Sequence, residues 1–438
     1  VTSQYLRAIK LALTGDPATP LVFLCNFEAE TQWAANYAGL PGPSFSGSAG
    51  LVRRMEELGL LLAGPDDYLV LKQPLDPGYA DYARKLGFAL PTILLPENAE
   101  DNRSTTEDVL DSPALLDRLT RIGAAGGRLL PMGTSTLEQK IAQTCGLRLA
   151  VPDADTFERV NSKIYSRRIT EEAGLRTVPG RSCETVEDLV AAIRHHEPAI
   201  RRGRGAVVKA AFGVSGKGLL VLDSPAKMDG LVRMAERRAA RSGDSRMHVV
   251  VESWLPKKYD LNYQFTIGRD GRVTFDFVKQ ALTQSGVHKG HLMPADLSAE
   301  HVTELEHASA VIGARLFLDG FVGVVGVDAI VTENKTLYPV LEINARLNMS
   351  TYQGGVSELC QPAGHVALAR HYCVGPLSFA EVHRRLRPVL ATTPDSNLVI
   401  TCFGTVRHGR LYVMLTAPDR SRLAAFDAAA ETALRNNE

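Results

Sequence analysis

The chain has 438 residues, of which 45% are hydrophobic and 22% charged, the balance of an ordinary globular protein with room for several domains. Its 49 basic residues equal its 49 acidic ones, so no global charge draws it to nucleic acid or an anionic membrane. The six cysteines (25, 145, 183, 360, 373 and 402) are dispersed, with no C-x-x-C spacing, which predicts reduced thiols and a cytoplasmic setting. No apolar run approaches the roughly 20 residues that span a bilayer, and "VTSQYLRAIKLALTGDPATP" lacks a signal-peptide core and reads as a helix leading into a strand.

In chain order, "PLVFLCNF" (20–27), "DYLVL" (67–71) and "PTILLP" (91–96) are short apolar runs bounded by turn residues. They predict buried strands alternating with helices, an α/β domain over residues 1–152. The glycine-rich stretch near 41–50 reads as a loop without dinucleotide-binding spacing. "DTFE" (155–158) has the capping-box pattern, and "NSKIYSRRITEEAGL" reads as a helix ended by Gly174. "TVEDLVAAIRHHEP" repeats the pattern, with Val186, Leu189, Val190 and Ile193 on one face and Pro198 as the expected stop. "AVVKAAFGVSGKGLLVL" is two apolar runs around a glycine loop, and "HVVVESWL" is a further strand. "LNYQFTIGRDGRVTFDFVK" predicts a hairpin turning at Asp270-Gly271. A long loop is expected over 280–297, then a helix from Ser298 to Asp319. Strands 321–331 and 336–346 follow around "TENKT", then a linker at 376–397, a hairpin and a closing helix.

The chemistry concentrates in two places. "FGVSGKG" offers glycine backbone that can approach phosphate. It is not a Walker A loop, because Ala211 stands where that motif needs glycine and a strand follows. It reads either as a flap over a nucleotide or as an ordinary hairpin turn. Lys209, in the apolar strand before it, calls for an anionic partner. Lys163, Glu252 and Asp260 are ordinary on local grounds. "LYPVLEINARLN" (337–348) is the second place. On a strand, alternate residues share a face, so Glu342, Asn344 and Arg346 stand in a row. Pairing across "TENKT" brings Asp328 roughly opposite 340–342. Two carboxylates and a carboxamide suit a hard cation such as Mg²⁺ with substrate phosphates, and Arg346 suits phosphate or carboxylate. The competing reading is an ion pair between Arg346 and the acids. His288, Lys289 and His291 in "GVHKGHL" are read as substrate contacts, no third zinc ligand having suitable spacing. No G-x-S-x-G or defensible cysteine-nucleophile motif occurs.

The order of "NSKIYSRRITEEAGL", "VVKAAFGVSGKG", "VVVESWL" with Asp260, "GVDAIV" and "LEINARLN", over about residues 155–372, resembles the ATP-grasp superfamily. The layout of the whole chain is most similar to the pheganomycin-type peptide ligases. That resemblance implies an α/β and α+β multidomain fold. Two α+β lobes would hold ATP, a small lobe with the flap (153–255) and a large lobe with the metal site (256–375). An α/β pre-ATP-grasp domain (1–152) precedes them and a small α+β domain (376–438) follows. It also implies that Lys163, Lys209 and the flap (Gly213, Val214, Ser215, Gly216, Gly218) contact ATP phosphates. Glu252 and the backbone near Leu255 would hold adenine, Asp260 the ribose, and Asp328, Glu342 and Asn344 two Mg²⁺. Arg346 would stabilise the transferred phosphate, with Lys279 assisting. The implied reaction joins a small amino acid-like carboxylate to an amine, the N-terminus of a peptide, with release of ADP and phosphate. Peptide antibiotic biosynthesis is the setting, and a homodimer is compatible. A dipeptide or small amide synthetase, a carboxylase, a phosphotransferase and a non-catalytic nucleotide-binding protein are the alternatives.

Overall fold

A computed structural model describes residues 3–40, 49–213, 218–284 and 287–435. The first expected strands form where the apolar runs lie: β1 (Leu21–Leu24), β2 (Tyr68–Val70) and β3 (Thr92–Leu94). A fourth, β4 (Arg128–Pro131), was not anticipated: its apolar run, "RLLP", is short. They pair in parallel in the order β3-β2-β1-β4. All four residues of β1 are buried, as a parallel strand covered on both faces requires.

The second sheet contains β5 (Gly180–Thr185), β6 (Ala206–Ala210), β7 (Leu219–Leu222) and β8 (Arg246–Ser253), in the order β5-β8-β6-β7. All its pairings are antiparallel. The helix Val186–Arg201 packs on it, buried through Val186, Leu189, Ile193 and Ile200. Pro198 does not stop this helix but lies inside its last turn. Ile200, beyond the proline, is buried in the same core, which keeps that turn docked. The capping pattern near 155 is shifted. Asp153, not Asp155, caps the helix Ala154–Val160 by accepting from the Thr156 amide.

The third sheet is the frame of the molecule. It comprises β9 (Lys257–Ile267), β10 (Val273–Gln284), β11 (Val287–Met293), β12 (Gly323–Thr332), β13 (Leu337–Asn344), β14 (Val366–Cys373), β15 (Asn397–Cys402) and β16 (Arg410–Ala417). Their order is β13-β12-β9-β10-β11-β14-β16-β15. Two expectations need correction here. The stretch 280–297 is not mainly loop, because β10 continues to Gln284 and β11 pairs with both β10 and β14. The stretch 376–397 contains the helix Phe379–Thr392. Ser378 caps it, and Phe379, Val382 and Leu386 make the buried stripe that outweighs the interior Pro388.

The C-terminal strands extend the third sheet and also pack against the first domain. Tyr79 and Tyr82 hydroxyls donate to the Ile400 and Leu398 carbonyls at 3.2 and 3.1 Å. Glu57 accepts from the Phe403 and Gly404 amides at 2.8 and 3.0 Å. All six cysteines are free thiols. No described helix is long and apolar enough to cross a membrane.

Candidate functional site

Strand parity builds the row as expected. In the β12–β13 pairing Asp328 lies directly opposite Glu342, and Gly326 lies opposite Asn344. Glycine is needed at 326, since a Cβ there would come within 2.4 Å of the Asn348 amide nitrogen. On the other side of β12, Asp328 faces Asn262 of β9. Two carboxamides therefore hold the Asp328 carboxylate: Asn262 donates to one oxygen at 2.9 Å and Asn344 to the other at 3.3 Å. Burial first, and then the Glu342 carboxylate, push Asp328 up to about 6.

Lys163, at the start of the helix Lys163–Glu172, reaches this row. Its Nζ lies 2.7 Å from Glu342 Oε1 and donates to the Gly213 carbonyl at 3.0 Å, at the foot of the flap. The local reading of Lys163 as a solvated helix lysine is thus overturned. A second cluster sits on the small-lobe sheet. Glu252 lies between Lys209, at 2.7 Å, and Arg167, at 3.0 Å, with all three side chains largely buried. Burial pulls Lys209 down, but Glu252, Glu342 and Asp328 outweigh it and hold the ammonium above its ordinary value. Asp260 accepts from Lys257 at 2.5 Å and from Thr283 at 2.5 Å.

Arg346 does not pair with the carboxylates of the row, so the ion-pair reading fails for it. Its Nε and Nη2 meet a single oxygen of Glu30 at 2.8 and 2.5 Å, and Nη2 also donates to the Asn344 side chain at 2.9 Å. Glu30 belongs to the first domain, in the helix Ala29–Ala34 that follows β1. That contact joins the first domain to the edge of the large sheet.

These groups share one cavity of about 710 Å³. Lys163, Lys209, Gly213, Gly218, Glu252, Leu255, Asp260, Asp328, Glu342, Asn344, His291 and Arg346 all line it. Trp254, Lys257, Asn262 and Ser350 line it too, as does a wall from the first domain that includes Glu28, Thr31 and Gln32. The sequence reading missed these. A carboxamide within an apolar strand was the available signal for Asn262, whereas nothing local marked Glu28 or Glu30.

Other expected residues fall elsewhere. Lys279 is not among the residues lining the cavity. It is buried one row deeper, where its Nζ donates to the Ser350 carbonyl at 3.1 Å and to Gln353 at 2.9 Å. Burial lowers it to about 7. Lys289 is exposed and does not line the cavity. His291 is buried, with Nε2 3.4 Å from the Ser350 hydroxyl. The side chain of His288, and the flap residues Val214, Ser215 and Gly216, lie outside what is described. Among the described residues no group of three or more His, Cys, Asp and Glu side chains gathers as a protein-only metal cage. A hard cation held by two carboxylates needs phosphate or water to complete its shell.

Comparison with known proteins agrees with this geometry. Residues 55–147 match the family described as the pre ATP-grasp domain, and residues 162–353 the carbamoyl-phosphate synthase L chain, ATP binding domain. The chain is 27% identical to the [butirosin acyl-carrier protein]--L-glutamate ligase of Niallia circulans over 328 residues, covering 74% of this chain and 71% of that protein. It is 28% identical to a formate-dependent phosphoribosylglycinamide formyltransferase of Delftia acidovorans over 207 residues, 43% of this chain and 49% of that one. Among solved structures, N5-carboxyaminoimidazole synthetase from Staphylococcus aureus aligns with a TM-score of 0.56 at 13% identity, over 94% of this chain and 97% of that one. The biotin carboxylase of Campylobacter jejuni aligns with a TM-score of 0.56 at 14% identity, over 93% and 89%. With a pre-ATP-grasp match ahead of an ATP-grasp ATP-binding match, and the row and lysines of the latter in one cavity, the chain belongs to the ATP-grasp superfamily of ATP-dependent ligases.

Proposed function

We propose that this ligase transfers the γ-phosphoryl group of ATP to a small amino acid-like carboxylate, then passes the acyl group to an amine, the N-terminus of a peptide. The products are an amide, ADP and phosphate. One observation carries the reading. A single cavity holds two lysines, the Asp328–Glu342–Asn344 row and the Arg346 guanidinium, and no cysteine lines it among the described residues. A carboxylate is a poor acyl donor until one oxygen becomes a phosphate leaving group. That conversion asks the protein for positioning and charge stabilisation more than for a nucleophile.

The row fits Mg²⁺. Two carboxylates and a carboxamide oxygen stand together on neighbouring strands. Asp328, Glu342 and Asn344 would hold the metal, which supplies charge neutralisation at the β- and γ-phosphates when bound. Lys163 is placed to exchange Glu342 for a phosphate oxygen, since it already sits between that carboxylate and the foot of the flap. Lys209 is held charged by Glu252 and Arg346 is held by Glu30, so neither need reorganise to meet an anion. Leu255 and Trp254 offer an apolar wall for adenine and Asp260 an acceptor for ribose hydroxyls. The Glu252 carboxylate is committed to its two cations and serves them, not the base.

A second acceptor is favoured by the relative from Niallia circulans, whose name specifies an acyl-carrier protein and L-glutamate. A carrier thiol would attack the same acyl phosphate and give a thioester. The test supplies ATP, Mg²⁺ and pooled carboxylic acids with hydroxylamine as the nucleophile. Carboxylate-dependent hydroxamate with stoichiometric ADP is expected, and stoichiometric AMP and pyrophosphate would sink the reading. Neutral hydroxylamine applied to the finished product separates a thioester, which it cleaves, from an amide, which it leaves intact.

A further inference from the structure

The wall that the first domain contributes to the cavity carries a carboxylate that the proposed chemistry has not used. Glu28 immediately precedes the helix Ala29–Ala34 and makes no side-chain cap to it. It lines the same cavity as Arg346. Its Oε1 is shut off from solvent and has no hydrogen-bond partner. A buried carboxylate oxygen left in that condition is destabilising unless a donor meets it.

The nearby cations are engaged elsewhere. Arg53 donates to the Asp101 and Asn102 carbonyls. Lys72 is paired with Asp108 and donates to the Arg103 carbonyl. Burial first, and the Glu138 carboxylate after it, push Glu28 above its ordinary value, as expected for an acid with too little positive charge around it.

Its distance from the reacting end is set by a neighbour. Glu30, two residues on, is bound through one oxygen to both Nε and Nη2 of Arg346. That pair is 10% and 12% exposed and fixes the short helix against the end of β13. Glu28 and the guanidinium are thereby held to one cavity by a single short segment.

Resting on the ligase reading above, we propose that Glu28 is a specificity-determining residue that binds the ammonium group of the carboxylate donor, so that the donor is a zwitterionic amino acid. An amino acid would place its carboxylate toward Arg346 and the lysines and its ammonium against Glu28, and no charge would be left without a partner. A donor of the same carbon skeleton without the amino group would leave the Glu28 oxygen as it is, buried and unmet. It would also bring a further negative charge beside Glu28 and Glu30. Desolvated sites built for a charged group reject analogues that lack it more strongly than apolar pockets reject a missing methylene.

The test uses the whole protein with ATP, Mg²⁺ and hydroxylamine, and no acceptor, so that only donor activation is read. Each of the twenty proteinogenic amino acids is compared with its des-amino counterpart. If no carboxylate of either kind gives hydroxamate, the ligase reading fails and takes this inference with it. If hydroxamate forms, the wild-type protein is expected to favour the amino acid by about 100-fold or more in kcat/KM. Equal use of the two, or activation of des-amino acids alone, would overturn the role of Glu28 while leaving the ligase reading intact. In Glu28→Gln the KM for the amino acid should rise at least about tenfold while the KM for ATP stays within about twofold, and the preference over the des-amino acid should shrink by the same factor. A variant with unchanged donor KM that is slowed only when an amine acceptor replaces hydroxylamine would place Glu28 in acceptor deprotonation and overturn the proposal. The wild-type comparison decides the matter even if the variant does not fold.

Discussion

Lys209 Nζ lies 2.7 Å from Glu252 Oε2, across the antiparallel pairing of β6 with β8. The other Glu252 oxygen is 3.0 Å from Arg167, so one carboxylate neutralises two buried cations. Substitutions at the two ends of this pair should not be equivalent. Glu252→Gln leaves Lys209 buried without its counter-charge and Arg167 with Glu171 alone, at 2.6 Å, a cost of about 3–5 kcal/mol. Lys209→Met leaves Glu252 paired with Arg167 and should cost much less. Denaturant midpoints should therefore fall far more for Glu252→Gln. ATP turnover should fall about 100-fold or more in Lys209→Met at near-normal stability, if Lys209 meets phosphate. Equal stability losses in the two variants would show that the cluster is structural throughout.

Glu342 is paired with Lys163 at 2.7 Å, yet its side chain is 22% exposed to the cavity. It does not fill a core, so Glu342→Ala should fold normally. Turnover should be abolished at ordinary Mg²⁺, because one of the two carboxylates proposed to hold the metal is gone. Glu342→Gln keeps an oxygen ligand and should regain part of the activity at raised Mg²⁺. Near-normal activity of Glu342→Ala at low Mg²⁺ would remove the metal assignment. A large loss of stability without nucleotide would make the Lys163 pair structural.

Lys279 gives a pH signature. Its folded-state value of about 7, caused by burial, lies below the unfolded lysine value of about 10.4. Between those limits the unfolded chain binds a proton that the folded chain does not. Stability should therefore rise with pH across that window, by up to about 1.4 kcal/mol per unit, and be lost as pH falls back through it. Lys279→Met lacks this group. The difference in unfolding free energy between wild type and variant should change steeply from pH 7 to pH 10, and parallel curves would show that Lys279 stays charged in the fold.

Much of the site was legible because strand geometry is local. Asp328, Glu342 and Asn344 could be placed on one face from parity and one short turn, and Asp328 does pair with Glu342. The rest depended on contacts that no window of sequence contains. Arg346 meets Glu30 across 316 residues, and the sequence offered the row's own acids as nearer partners. β11 read as loop because "VHKGHL" is polar and glycine-containing. It pairs with the adjacent β10 and, on its other edge, with β14, nearly eighty positions further on. Two interior prolines, Pro198 and Pro388, read locally as a helix stop and a linker residue, yet both lie inside helices. In both helices a buried apolar stripe outweighed the loss of one backbone hydrogen bond.

The acceptor is the remaining question, and length is the variable that resolves it. The β10–β11 hairpin lines the cavity with Ala281, Thr283 and His291, and β14 and β16 continue the sheet beyond it. These elements add surface to a minimal ATP-gripping core. An extended peptide could use such surface for backbone hydrogen bonds and pocket contacts. Binding energy from its remote residues would then orient the reacting amine. With the donor fixed, one amino acid, a dipeptide and longer peptides sharing the same first residue should show rising kcat/KM that levels off once the groove is filled. N-acetylation of the acceptor should stop the reaction, since it removes the nucleophile. Equal efficiency along the series would favour a dipeptide or small amide synthetase. Inactivity of every amine, with turnover restored by a phosphopantetheinyl carrier protein, would move the acceptor from amine to thiol while leaving donor activation as described.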